Sequence, residues 1–474
     1  MIVRRWAAAT CCAAAVPAEA HGFGQRYDLP LPLELYITGA ALIVTVSCVM
    51  LVAFVRVAPR DRPFPHWDLM RYRPVRLLAS PAAIALLRCF AVAVFFLLLF
   101  AGFAGNQSPF RNIVPVTVWA VGWVGLAYVS ALVGDAWRLA NPLETLFAAA
   151  ERAYAALRGG KRLSLGRPAP PALASWPAVM LYLVFLWMEV AWDGAETPAR
   201  IATLLAAYAA ITWIGMGYFG REAWLERGEV FTRVFGTLAR FAPLRIRLVD
   251  RRIAELEARP YAVGLLAREP AVLSEIALII VILAAVSFDG FLETPAWAAI
   301  LEATGNDESP SHWPRTLGLA AAPLLFFAVY IAFCRLIAMS AGARGERIAG
   351  LFVHTLVPIA IAYQVAHYLS FLAMAGQYLV PLVSDPFGRG WDLFGTANHF
   401  VRPGIVDARM VWIVSVGAIV AGHLAALYLG HLLSMQEFRD RRAAVRSQWP
   451  MLVLMVSYTM LSLWIIAQPI VASR

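Results

Sequence analysis

Apolar runs, each long enough to cross about 30 Å of hydrocarbon as a helix, fall near residues 35–56, 82–104, 113–134, 174–192, 200–219, 272–288, 316–337, 348–380, 410–433 and 449–469. Polar segments rich in Gly, Pro and charged residues separate them. The pattern predicts an all-α fold, a polytopic membrane helical bundle of about ten transmembrane helices.

One polar segment recurs. It reads Trp192-Asp193-Gly194-Ala195-Glu196-Thr197-Pro198, then Phe288-Asp289-Gly290-Phe291-Leu292-Glu293-Thr294-Pro295, with a looser copy at Ala104-Gly105-Asn106-Gln107-Ser108-Pro109. Gly suits a helix C-cap, Thr or Ser an N-cap and Pro the first helical position, so capping accounts for the shared residues. It does not account for Asp193 and Asp289, which follow the last apolar residue where the helix dipole is negative and a carboxylate is mildly unfavourable. Either Asp alone reads as a residue bonding its own turn backbone, whereas two in register mark the tip as a candidate site. Further echoes, Asp135-Ala136-Trp137 with Glu222-Ala223-Trp224 and Arg227-Gly228-Glu229 with Arg344-Gly345-Glu346, extend the unit. The expectation is three tandem parallel helical-hairpin repeats, about 82–147, 174–235 and 272–347, followed by a C-terminal three-helix part, 348–474. Parallel repeats differ from the inverted repeats of many alternating-access transporters.

Composition agrees with the class. Hydrophobic residues make up 61% and charged residues 15% of the 474, too few polar groups to solvate a soluble domain of this length. The basic segments 56–80, 135–173, 220–270, 335–347 and 436–448, with Arg71, Arg73, Arg76, Lys161, Arg162, Arg245, Arg251 and Arg442 among them, are expected on the cytoplasmic side of a bacterial inner membrane. Ten crossings then place both mature termini in the periplasm. On this reading the net charge of +10 reflects topology and favours anionic lipid headgroups over nucleic acid. Cys48, Cys89 and Cys334 lie singly inside predicted spans, which supports neither a disulfide framework nor a thiolate metal site.

Residues 1–20, with two early arginines, an Ala-rich stretch and Ala18-Glu19-Ala20, read as a cleavable signal peptide; an uncleaved amphipathic lead-in is the alternative. Cleavage would leave His21 at the head of a periplasmic segment, 21–34, ahead of the transmembrane domain, 35–474. The last third holds His354, Tyr363, His367 and Tyr368 on the eighth run and His423 and His431 on the ninth, and the outer loop between them holds Asp385, Arg389, Asp392, His399 and Asp407. An intramembrane ionisable residue is a functional candidate, although a single His there is more often a neutral hydrogen-bond partner. Glu189, one turn before the first Asp-Gly tip, has to pair, protonate or coordinate. Imidazole and carboxylate together suit Zn, Mn, Fe or Cu, and an N-terminal His can chelate Cu through its amine and ring. No compact motif such as HExxH is present, so ligands would have to converge through the fold. The expected set is His21, Asp193, Asp289 and His367 as metal ligands, Asp385 and Asp392 as catalytic base or orienting groups, and Glu189, His399 and His423 as further candidates.

The stretches His21-Gly22-Phe23-Gly24-Gln25-Arg26-Tyr27-Asp28-Leu29-Pro30 and Ser384-Asp385-Pro386-Phe387-Gly388-Arg389-Gly390-Trp391-Asp392-Leu393-Phe394-Gly395, with Val365-Ala366-His367-Tyr368, resemble a bacterial family of polytopic membrane proteins with members named fenitrothion hydrolase. The resemblance implies hydrolysis of lipophilic organophosphorus triesters. A metal-bound hydroxide and a Lewis acid would serve that chemistry, with substrate reaching the site through the bilayer. A periplasm-facing metal-handling or transport protein, with His21 capturing copper and His367 and His423 forming a relay, is the alternative expectation. A structural subunit of a larger membrane complex is the third.

Overall fold

A computed structural model describes residues 27–55, 64–266, 269–305, 312–402, 404–438 and 440–470. The expected leader, 1–20, and His21 lie outside the described residues. Among the described residues ten helical segments are long and apolar enough to cross a membrane: α1 (Leu33–Phe54), α2 (Pro81–Ala104), α3 (Ile113–Leu132), α4 (Pro171–Val190), α5 (Pro198–Phe219), α6 (Leu273–Leu292), α7 (His312–Ala341), α8 (Gly345–Ser384), α9 (Ala408–Glu437) and α10 (Arg441–Ile470). All ten expected apolar runs are therefore helices, in the expected order.

Burial ranks them. In α8, 94% of the apolar window is buried, against 17% in α7 and 22% in α1 and α2. The central helix is thus the one carrying His367, and lipid-facing surface belongs to the others. Close packing depends on small residues, since lipid supplies no hydrophobic drive for helix association. A methyl placed on Gly422 of α9 would meet Ala362 Cβ of α8 at 2.5 Å and Pro358 O at 2.8 Å. One on Gly290 of α6 would meet Ile465 Cγ2 of α10 at 2.9 Å.

The bundle has two chemically distinct ends. At the basic end, the amphipathic helices Pro142–Leu157 and Val230–Ala239 pack under the spans. A three-stranded antiparallel sheet, β1 (Trp67–Asp68), β2 (Leu244–Val249) and β3 (Arg252–Ala258), is arranged in the order β1-β3-β2. The sheet departs from a purely helical expectation. Its signal is the alternation Leu244-Arg245-Ile246-Arg247-Leu248, which has the period of a strand, and the turn residues Asp250 and Arg251 take φ of 47° and 63°, the left-handed pair that matches strand twist in a tight hairpin.

At the acid-rich end the three tips differ despite their common sequence. Asp193 lies in a turn after α4, whereas Asp289 and Gly290 remain helical within α6. The second copy then inserts a short helix, Pro295–Ala303, before α7. Both prolines sit in the first turn of the following helix, as capping predicts. The Thr294 hydroxyl accepts from Trp297 N at 3.3 Å, but Thr197 makes no side-chain cap bond. The two acids of the repeated motif therefore have different settings: Asp193 is in an exposed turn, and Asp289 is within its helix with a side chain 13% exposed.

Candidate functional site

Glu189 ends α4, Asp289 lies near the end of α6, and His367 and Tyr368 occupy the middle of α8. Three helices therefore bring these groups together about a turn below the acid-rich end. A fourth element completes the cluster. Residues Val116–Gly125 of α3 are π-helical, a widened form often found at functional positions. Trp119 and Trp123 project from it onto neighbouring elements. Trp119 Nε1 donates to Ala195 O in the first tip at 2.8 Å, and Trp123 Nε1 donates to Glu189 Oε1 at 2.8 Å.

The bonds form a connected network. His367 Nε2 lies 2.8 Å from Asp289 Oδ2, and the Tyr368 hydroxyl lies 2.9 Å from the same oxygen and 3.0 Å from Glu189 Oε1. The His367 and Asp289 side chains are 6% and 13% exposed, and Glu189 Oε2 is buried with no hydrogen-bond partner among the described residues. Tyr182, itself 1% exposed, stacks with Phe185 and packs beside Trp123 to wall the cluster with aromatic rings.

The Tyr368 phenol limits how the two carboxyl groups can share protons. A phenol has one proton to donate, yet its oxygen is within hydrogen-bond distance of two carboxyl groups. If both carboxyls were ionised, one of those two contacts would set oxygen lone pairs against each other. One additional proton, on either carboxyl, makes both contacts hydrogen bonds.

The other candidates go elsewhere. Asp193 is exposed and pairs with His312 Nε2 at 3.2 Å, on the first residue of α7. Asp385 accepts from the backbone N–H groups of Arg389 and Gly390 at 2.9 and 2.6 Å, and Asp392 from Ala397 N at 2.9 Å. Both acids thereby shape the loop after α8. That loop docks on the looser copy of the tip, between α2 and α3: Asn106 N donates to Phe387 O at 2.8 Å, Ile113 N to Pro386 O at 3.2 Å, and Arg389 Nη2 to Ala104 O at 3.0 Å. Gly388, with φ of 65°, approaches Arg111 O too closely for any Cβ. His399 is exposed on the same loop. His423 is fully buried, with Nδ1 at 2.8 Å from Ile419 O and Nε2 unpartnered; no hydrogen bond joins it to His367. Among the described residues, no group of three or more His, Cys, Asp or Glu side chains is arranged to hold a metal ion. Reasoning from sequence missed Trp123 and undervalued Tyr368, although the Trp119/Trp123 spacing of one helical turn and the Tyr beside His367 were visible.

At the basic end a second buried acid is fully used. Glu229, 0% exposed, caps Val230–Ala239 by accepting from Thr232 N at 2.7 Å and Phe231 N at 3.3 Å. It also accepts from Trp137 Nε1 at 3.0 Å and from the hydroxyls of Tyr208 and Thr232. Comparison with family models, with curated proteins and with solved structures returns no match.

Proposed function

We propose that the chain is a membrane-embedded cation-handling protein that takes up one cation, from the acid-rich side, at the Glu189–Asp289–His367 cluster. The observation that carries this reading is the single phenol proton of Tyr368 set between two carboxyl groups, so that a further positive charge, a proton, has to join one of the two contacts. Glu189 Oε2, buried without a partner, supplies an oxygen for that charge. The surrounding outer loops are rich in acid, Glu196, Asp193, Glu293, Glu302 and Asp407 among them, which raises the local concentration of cations.

The cation is a proton that a metal ion can displace. Asp289 and His367 offer the oxygen and nitrogen donors that Zn, Mn, Fe or Cu accept, so the donors fit a metal in kind. Two donors share one position and Glu189 is reached through Tyr368, so the described residues fall short of a full ligand set. A bound metal would supply Lewis acidity and an activated water; what these residues themselves do is orient a carboxylate pair and keep it out of bulk water.

Detergent-purified protein should bind about one equivalent of Zn or Cu by calorimetry, with release of protons, and Asp289→Asn should abolish it. Absence of both metal binding and proton release refutes the reading. Release of nitrophenolate from paraoxon by the metal-loaded chain, lost in Asp289→Asn, would instead favour the triester hydrolase that the resemblance implies.

A further inference from the structure

The basic end holds a cavity of about 640 Å³ between the first turns of α2, the helix Pro142–Leu157, the 160–163 segment and the β2–β3 turn. Seven basic side chains line it against two carboxylates, Glu151 and Asp250. Three of the cations are set into the wall. Arg221 is 3.3 Å from Glu151 Oε2 and 4.0 Å from Glu144 Oε1, and Arg251 is 3.5 Å from the same Glu144 oxygen. Arg88 donates through Nε to Leu139 O at 3.1 Å, while its Nη2 is buried with no partner. Arg152, Lys161 and Arg162 form no salt bridge among the described residues. Burial and the neighbouring Arg88, Arg221 and Arg152 hold the Arg251 guanidinium below its usual range, against the pull of Glu144.

Glu144 and Glu151 offset part of this crowding of seven basic side chains, and a further anion among them would offset more. Planar guanidinium forks match phosphate oxygens in pairs. The cavity also receives the amino end of α2, where the helix dipole favours negative charge, although Pro81 has no N–H and Ser80 Oγ already accepts from Ala83 N. Exposed leucines lie near lining positions in sequence: Leu78, Leu86 and Leu157 are 74%, 73% and 84% exposed.

We propose that this cavity binds a phosphate-bearing anion, with Arg88, Arg221 and Arg251 on the phosphate, Lys161 and Arg162 beside it, and the exposed leucines of the flanking helices suited to the acyl chains of an anionic phospholipid. Basic pockets between membrane helices are suited to such headgroups. Nothing in this inference depends on the acid-rich cluster at the opposite end.

The test uses the full chain in neutral detergent, titrated separately with phosphatidylglycerol, phosphatidylcholine and inorganic phosphate, and read by thermal unfolding and native mass spectrometry. Phosphatidylglycerol should raise the melting temperature and stay bound, and phosphatidylcholine should not. Inorganic phosphate acting as well as the lipid assigns a soluble phosphate ligand, and action by the lipid alone assigns a headgroup site. Lys161→Gln/Arg162→Gln changes only exposed side chains and should fold normally while weakening binding about tenfold or more per lost charged contact. Arg88→Gln should do the same from the inside. Equal responses to phosphatidylglycerol and phosphatidylcholine, or unchanged affinity in a folded Lys161→Gln/Arg162→Gln chain, overturn the proposal.

Discussion

Tyr368→Phe removes one oxygen atom and leaves the ring, 3% exposed in the native protein, in place. The lost hydroxyl contacts Asp289 Oδ2 at 2.9 Å and Glu189 Oε1 at 3.0 Å. A hydrogen bond to an ionisable group contributes about 1.5–3 kcal/mol, and a carboxyl left without a partner costs more. Here Trp123 remains on Glu189 at 2.8 Å and His367 on Asp289 at 2.8 Å, so neither oxygen is stripped. The expected loss is therefore about 2–3 kcal/mol, a fall of several degrees in melting temperature followed by tryptophan fluorescence in detergent. Because the hydroxyl also holds the two carboxyls at a fixed separation, the variant should lose affinity for added Zn or Cu. A melting temperature within a degree of native, with unaltered metal response, would refute the reasoning that the phenol ties the two acids together.

Further outcomes follow from other parts of the molecule. Glu229→Ala strips the cap from Val230–Ala239 and leaves Trp137, Tyr208 and two backbone N–H groups without their acceptor; it should cost about 3–5 kcal/mol and is read as loss of folded yield, with Glu229→Gln less severe. Gly422→Leu should separate α8 from α9, since even a methyl meets Ala362 Cβ at 2.5 Å; cross-linking between cysteines on the two helices reports it. Thr294→Ala should cost about 1 kcal/mol through the lost cap to Trp297 and leave metal binding intact. Burial pushes the Asp135 carboxyl up to about 6 against the bonds from Arg138. Because the folded value lies above the unfolded one, its contribution is present below about pH 4 and is lost as pH rises through about 6. Asp135→Asn should flatten that slope in melting temperature; a slope unchanged in the variant assigns the dependence to other groups.

The hydrophobic pattern made the bundle legible because each span must be long, apolar and helical to satisfy its backbone in lipid, and that constraint acts locally. Leu33–Phe54 and Ala408–Glu437 could be read from their own residues. The site was less legible because it is assembled across α3, α4, α6 and α8, whose mutual placement no local pattern encodes. Asp193 and Asp289 share a motif yet part company, since the helix continues three residues past Asp289 and stops three residues before Asp193. Glu189, an oddity in an apolar run, and His367, mid-span on the central helix, were visible as ionisable groups that lipid would not tolerate unpaired. Trp123 was not, because an indole in a membrane helix is ordinary until its N–H is seen to reach a carboxylate. The loop acids Asp385 and Asp392 show the opposite case: polar residues near a Gly-rich turn read as chemistry from sequence and act here as acceptors for backbone N–H groups.

The most direct test of the cation account is infrared difference spectroscopy of the metal-free chain in detergent, comparing native protein with Glu189→Gln/Asp289→Asn in the carboxylic-acid C=O region. One protonated-carboxyl band present in the native protein, absent from the double variant and abolished by Zn is the predicted result. A native spectrum without that band, unchanged by Zn, would mean that the cluster carries no exchangeable cation and would contradict the account.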